Sequence, residues 1–190
     1  QRKEYFAEKQ ILSWFLQIAL AVRYMHSQKV LHRDLKAQNV FLNKSGTLCK
    51  LGDFGIAKSM DTDIDVASTC VGTPCYLSPE MCQDIPYSSK ADVWAMGCML
   101  YEMTTLKPAF DAFNLVSLFY KIVKGEFEPI PSVFSKDLSN LISTVLMRNP
   151  DERPRLECEF QVECFLTCNN LQCWRHPGHS MRQTGAAEFC

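Results

Sequence analysis

The sequence predicts a mainly α fold with short β-hairpins, and three observations carry that reading. Apolar residues recur at helical spacing in several separate stretches, and one further stretch is apolar on nearly every side. Between the first two of these helices, two short β-type runs flank an Asn-Lys-Ser-Gly turn. With 190 residues, 47% of them hydrophobic, the chain can fill one substantial core.

Ile11, Phe15, Ile18, Val22 and Met25 lie on one face at helical spacing, so a helix with one buried stripe is expected from about Lys9 to Ser27. Val40-Phe41-Leu42 and Leu48-Cys49-Lys50-Leu51, joined by Asn43-Lys44-Ser45-Gly46, read as a short hairpin. Residues 53 to 80 are polar and irregular, and a long loop of this kind in a compact domain is usually functional. Ala91 to Met103 is apolar on nearly all sides, which suits a helix through the middle of the fold. Leu115, Leu118, Phe119 and Ile122 mark another helix. Leu138, Leu141, Ile142 and Val145 mark a further one, and Pro150 and Pro154 close the series.

A net charge of −1 gives no reason to expect nucleic acid or an anionic membrane as a partner. No apolar run approaches the ~20 residues a membrane helix needs. The chain begins with Gln1, so an N-terminal segment is expected to be missing. Of ten cysteines, Cys49, Cys70, Cys75, Cys82 and Cys98 are scattered without a pairing pattern, and five crowd into the last 33 residues. Cys168, Cys173, His176 and His179 could be combined into a zinc site. Their spacing fits no common zinc pattern, so a tail without evolved structure is the better reading. Cys70 and Cys75 invite a redox reading, but a lone loop cysteine is more often inert.

The chemistry concentrates in two motifs, His32-Arg33-Asp34-Leu35-Lys36-Ala37-Gln38-Asn39 and Asp53-Phe54-Gly55. Asp34 and Asp53 stand 19 residues apart, with Asn39 between them. In phosphoryl transfer the protein mainly positions groups and neutralises charge. Asp34 would accept the proton of a substrate hydroxyl, and Lys36 can reach the transferred phosphate. Asn39 and Asp53 would hold Mg²⁺ against the phosphates of ATP. The hairpin carries Asn39 at its entrance and Asp53 at its exit, so both would meet on one side. Asn39 as a turn former and Asp53 as a cap are the plain alternatives, each reasonable alone and improbable together.

From about Tyr5 to Arg155 the chain resembles the C-terminal lobe of a eukaryotic protein kinase. The two motifs are followed in order by Gly72-Thr73-Pro74, Ser78-Pro79-Glu80, Asp92-Val93-Trp94-Ala95-Met96-Gly97 and Arg153-Pro154. Lys36 with Gly72-Thr73-Pro74 resembles the serine/threonine class. Ala37-Gln38-Asn39-Val40-Phe41-Leu42, Leu51-Gly52-Asp53-Phe54-Gly55-Ile56-Ala57 and Leu100-Tyr101-Glu102-Met103-Thr104-Thr105-Leu106-Lys107 are similar to the NIMA-related kinases.

The resemblance implies transfer of the ATP γ-phosphate, with Mg²⁺, to serine or threonine hydroxyls of protein substrates. It also implies further roles. Asp92 would accept backbone hydrogen bonds from the catalytic loop, or cap its helix, or both. Glu80 and Arg153 would form a buried ion pair. His32 and Phe54 would stack in the regulatory column, and Phe41 would lie beneath the adenine. Arg33 would pair with a phosphate on Thr69, whose added ~1.5–2 negative charges would order the loop. Thr73 would be a structural hydroxyl near Asp34, and Ile56 would favour threonine over serine as acceptor. By analogy with the family, partners would be cytoskeletal or centrosomal, and the location cytoplasmic, at centrosomes or cilia.

Two departures from the family pattern bear on function. None of the eight glycines falls into Gly-x-Gly-x-x-Gly, and no Val-Ala-Ile-Lys-like strand occurs. The small lobe is therefore expected to be missing, leaving residues 1–155 as the large lobe alone, inactive by itself. A non-catalytic binding module, or an incomplete gene product, is the alternative. Residues 156–190 depart from the family and are expected to form a poorly ordered Cys-rich tail.

Overall fold

Helix α1 (Glu8–Ser27) opens the chain's regular structure, one residue earlier than the apolar spacing alone marks. A computed structural model describes residues 4–52, 58–59 and 74–156, all within the unit 1–160. Ile11, Phe15, Ile18 and Val22 are buried along one stripe of α1, as is His26 near its end. The stripe packs against α2 (Ser89–Thr105) and the hairpin.

Helix α2 is the central element, with Val93, Trp94, Met96, Met99 and Leu100 all buried. A helix enclosed on every side shows no amphipathic stripe, which is why its sequence is apolar all round. It extends two residues beyond Ala91–Met103 at each end. Ser88 caps it, its Oγ accepting the Lys90 N–H at 3.2 Å. Asp92 is thus not the cap, because it lies inside the first turn. Gly97 faces the end of α4 (Lys136–Val145), where an added Cβ would stand 2.8 Å from a Leu146 methyl and 2.9 Å from one of Val145. Only glycine lets the two helices approach this closely.

Helix α3 (Leu115–Lys124) is capped by Asn114, whose Oδ1 accepts the Ser117 N–H at 2.8 Å. It buries Leu118 and Ile122 and leaves Leu115, Val116 and Tyr120 exposed. Ser135 caps α4 and gives its own N–H and hydroxyl to the Glu8 carboxylate, at 2.8 and 2.5 Å. This ties the first turn of α1 to the start of α4. Trp94 stacks on Phe110 at 5.4 Å between centroids, and Phe127 closes edge-on against both Phe110 and Tyr101.

Two small antiparallel pairs complete the fold. β2 (Val40–Leu42) pairs with β3 (Cys49–Leu51), setting Val40 opposite Leu51. The Asn43 carboxamide oxygen accepts the Thr47 and Leu48 N–H groups at 2.9 and 3.0 Å, closing the turn. Helix α1 holds this hairpin: Trp14 Nε1 donates to the Gly46 carbonyl at 2.7 Å, and Cys49 N–H to Gln17 Oε1 at 3.0 Å. The other pair, β1 (Val30–Leu31) with β4 (Lys58–Ser59), joins segments whose two-residue strands leave no period to read. No helix among the described residues is long and apolar enough to cross a membrane.

Candidate active site

Asp92 is the residue around which the site is built. Its carboxylate is fully buried on the first turn of α2. Stripping a carboxylate of water is costly unless its oxygens are matched by donors. Here four donors converge: His26 Nε2 at 2.8 Å, the backbone N–H groups of His32 and Arg33 at 3.1 Å each, and Tyr87 Oη at 2.5 Å. Burial by itself pushes the Asp92 carboxyl up. The hydrogen bonds from His26 and Tyr87, with the His26 charge and the Arg33 N–H, outweigh it and hold the group below its ordinary value. Burial and the neighbouring Asp92 charge raise Tyr87 well above the ordinary phenol, so Tyr87 stays a donor.

The two backbone bonds have a conformational purpose. Arg33 has φ of 70°, a left-handed conformation that a long side chain rarely adopts. Such a residue costs on the order of 1–3 kcal/mol and persists only where its surroundings fix it. Asp92 contributes that fixing by accepting the N–H groups of His32 and Arg33, which flank the His32 Cα. The turn aims the next residues outward: His32 is buried, whereas the Asp34 side chain is 23% exposed.

Asp34 then gathers its neighbours. Lys36 Nζ lies 2.6 Å from Asp34 Oδ2, and Asn39 Nδ2 lies 3.1 Å from the same oxygen and 2.8 Å from the Asp34 carbonyl. Asn39 ends a short 3₁₀ turn, Ala37–Asn39, and is 5% exposed. With both its amide bonds directed to Asp34, its carboxamide orientation is set and Oδ1 remains as an oxygen donor. At the hairpin base, the Gly52 N–H donates to the Asn39 carbonyl at 2.8 Å. The residue that precedes Asp53 in sequence therefore lies beside Asn39. Gly52 also lies under the Phe41 ring, and a methyl group there would overlap it. Phe41 is 59% exposed.

Arg153 anchors the other side. It is 1% exposed, and all five of its N–H donors are matched. Two go to the Glu80 carboxylate at 2.7 Å each, and three to the carbonyls of Met147, Lys90 and Arg148 at 2.7, 2.9 and 3.0 Å. Its guanidinium lies 4.9 Å from the centre of the Trp94 ring.

The structure thus brings Asp34, Lys36 and Asn39 into one hydrogen-bonded group, joins Asp92 to the His32 and Arg33 backbone, and pairs Glu80 with Arg153. The Arg33 guanidinium lies 5.8 Å from the centre of the Tyr87 ring. Asp53, Phe54, Ile56, Thr69, Cys70 and Thr73 lie outside the described residues. So do Cys168, Cys173, His176 and His179.

The protein kinase domain family model matches residues 1–164. The chain belongs to the protein kinase family. It is 51% identical over 154 residues to the serine/threonine-protein kinase Nek1 of Mus musculus, covering 81% of this chain and 13% of that relative. It is 50% identical over 156 residues to Nek5 of Homo sapiens, covering 82% and 22%. The probable serine/threonine-protein kinase nek3 of Dictyostelium discoideum is 53% identical over 152 residues, covering 78% and 14%. These relatives make it a NIMA-related kinase sequence, a partial domain spanning 13–25% of the length of the curated relatives it matches.

Four residues of this candidate site were not singled out from the sequence: His26, Tyr76, Tyr87 and Glu102. His26 could have been found, because it continues the buried stripe of α1 four residues after Val22 and a polar group there must have a partner. Tyr87 lies in an irregular segment and Tyr76 ends a single 3₁₀ turn, Pro74–Tyr76, so no period points to either. Tyr76 Oη accepts the Ala37 N–H at 3.3 Å and donates to Glu102 Oε2.

Proposed function

We propose that this chain is the large lobe of a NIMA-related serine/threonine kinase, bearing the base and metal-holding half of its phosphoryl-transfer site. The observation that carries the reading is the hydrogen-bonded group of Asp34, Lys36 and Asn39, presented by a strained loop that a buried carboxylate holds in place. Asp34 accepts the substrate hydroxyl proton and aligns that oxygen. Lys36 keeps a positive charge beside it, where negative charge gathers in the transition state. Asn39 Oδ1 and the Asp53 carboxylate are hard oxygen donors of the kind that suit Mg²⁺. Mg·ATP would supply the phosphoryl group and neutralise its leaving charge. Phe41, exposed and close to Gly52, is suited to carry the adenine. His32 and Phe54 belong to the regulatory column.

The roof of the nucleotide site is proposed to come from sequence outside these 190 residues, which contain no Gly-rich phosphate loop. The chain by itself would then bind ATP negligibly. Arg33 is proposed to receive a phosphate on Thr69, with Thr73 a structural hydroxyl near Asp34. Ile56 is proposed to favour threonine acceptors. Protein substrates follow from the family; cytoskeletal or centrosomal partners and a cytoplasmic location are further proposals by analogy. Residues 156–190 are proposed as a separate tail.

The test joins the N-terminal part of the kinase domain of mouse Nek1 to this chain and measures phosphate transfer to peptides differing only in serine or threonine. A folded chimera should transfer phosphate, preferring threonine, while the 190-residue chain alone should not. A chimera that binds ATP but transfers nothing would leave the chain as a binding module.

A further inference from the structure

We propose that Gln17 is a positioning residue: its carboxamide clamps the turn end of the β2–β3 hairpin to α1 and so sets the register that brings Gly52 beside Asn39. The consequence for catalysis rests on the kinase reading above, whereas the clamp stands on the hydrogen bonds themselves.

The hairpin has three residues per strand, and a two-stranded ribbon of that size is marginal in water without support. Phe41, Leu42 and Leu48 are exposed, so apolar packing gives its outer side little hold. Along an antiparallel ribbon, hydrogen-bonded and non-bonded residue pairs alternate. The Asn43 N–H donates to the Leu48 carbonyl and the Gly52 N–H to the Asn39 carbonyl, which makes Leu42 and Cys49 a non-bonded pair. The Cys49 N–H and the Thr47 carbonyl consequently point away from β2, along an edge where a further strand would bond.

Gln17 takes the place of that strand. Its Oε1 accepts the Cys49 N–H at 3.0 Å, and its Nε2 donates to the Thr47 carbonyl at 3.0 Å. Nε2 also donates to the Ser13 carbonyl at 3.3 Å, within α1. With the oxygen and both protons engaged, the carboxamide has one orientation. Gln10, Trp14 and Gln17 share a face of α1, and the first two both donate to the Gly46 carbonyl, at 3.2 and 2.7 Å. Those two bonds hold the tip of the turn. The Gln17 pair does more, because it joins an acceptor to one residue and a donor to another two positions away. A slip of one residue would turn both groups toward β2 and leave the carboxamide unmatched. At the far end of the ribbon, the same register gives the Gly52 N–H to Asn39 at 2.8 Å. In the kinase reading, Asn39 and the residue after Gly52 are the two metal-holding positions.

Q17M keeps the length of the side chain and removes all three bonds. In the 190-residue chain, NMR hydrogen exchange should show Q17M opening the Cys49 amide about tenfold or more and the Gly52 amide about fivefold or more, with the Ile142 amide of α4 unmoved. The Gly46 N–H donates to the Asn43 carbonyl at 2.9 Å, so Lys44 is the second residue of a β-turn, a position that suits proline. K44P thus stiffens the hairpin without touching Gln17, and in the Q17M background it should bring Gly52 exchange back to within about twofold of wild type. In the chimera, Q17M should raise the Mg²⁺ concentration for half-maximal transfer about threefold or more, with the peptide KM within about twofold, and K44P should reverse that rise. Faster exchange confined to Cys49, equal opening at Ile142, an unchanged Mg²⁺ requirement, or failure of K44P to restore Gly52 would each overturn the proposal. A wild-type chimera without transfer activity would instead count against the kinase reading, while the exchange measurements would still decide the clamp.

Discussion

Replacing Arg153 with methionine strands the Glu80 carboxylate, which is 4% exposed and takes both its close partners from Arg153. Breaking a buried pair from one side costs about 3–5 kcal/mol, because the remaining charge has neither water nor partner. Three backbone carbonyls lose a donor as well, so the upper half of that range is expected. For a unit of this size each kcal/mol moves Tm by about 2–4 °C, giving a fall of about 8–20 °C. Total stabilities of about 5–15 kcal/mol leave such a variant folded but near its limit. The discriminating assay is a double-mutant cycle in urea with Arg153→Met, Glu80→Leu and both together. Removing both charges should cost no more than Arg153→Met alone, with a coupling of at least about 1 kcal/mol. A loss under about 1 kcal/mol for Arg153→Met, or strict additivity in the cycle, would refute the argument.

Other expectations are checked more simply. Gly97→Ala should push α2 from α4 and cost about 1–3 kcal/mol, read as a lower urea midpoint, because the new methyl meets Leu146 and Val145 below contact distance. Asp92 is held below its ordinary carboxyl value, so its contribution is full above about pH 4 and lost as pH falls through the folded value. Wild type should therefore lose more stability between pH 5 and pH 3 than Asp92→Asn, measured as the change in urea midpoint. Burial and then the Glu102 charge push the Cys75 thiol up to about 11. At pH 7.5 iodoacetamide should alkylate Cys75 more than tenfold slower than free cysteine, followed by peptide mass spectrometry.

What could be read from the sequence divides along physical lines. Helices α1, α3 and α4 each bury one face and so leave a period. Their positions were legible to within a residue or two, and α2 was legible because burial on all sides makes its sequence apolar throughout. The hairpin was legible from its turn, since Asn43 closes it through its own side chain. The β1–β4 pair was not, because two residues per strand carry no alternation. In the site, Asp34, Lys36 and Asn39 were legible because their spacing is short and their chemistry specific. Tyr76 and Tyr87 were not: Tyr76 meets residues distant in sequence, and Tyr87 sits outside the helix whose Asp92 it bonds, where no period marks it. The cap of α2 shows the same limit: Ser88 and Asp92 are both good capping types, and only geometry assigns Ser88.

The account turns on Asp34 as the proton acceptor, and the most direct measurement is the Asp34→Asn change in a folded, ATP-binding chimera. Transfer of the γ-phosphate to a threonine peptide should fall about 10²–10⁴-fold, as expected when a general base is removed, with ATP affinity within a few fold of wild type. Undiminished transfer by Asp34→Asn would contradict the account.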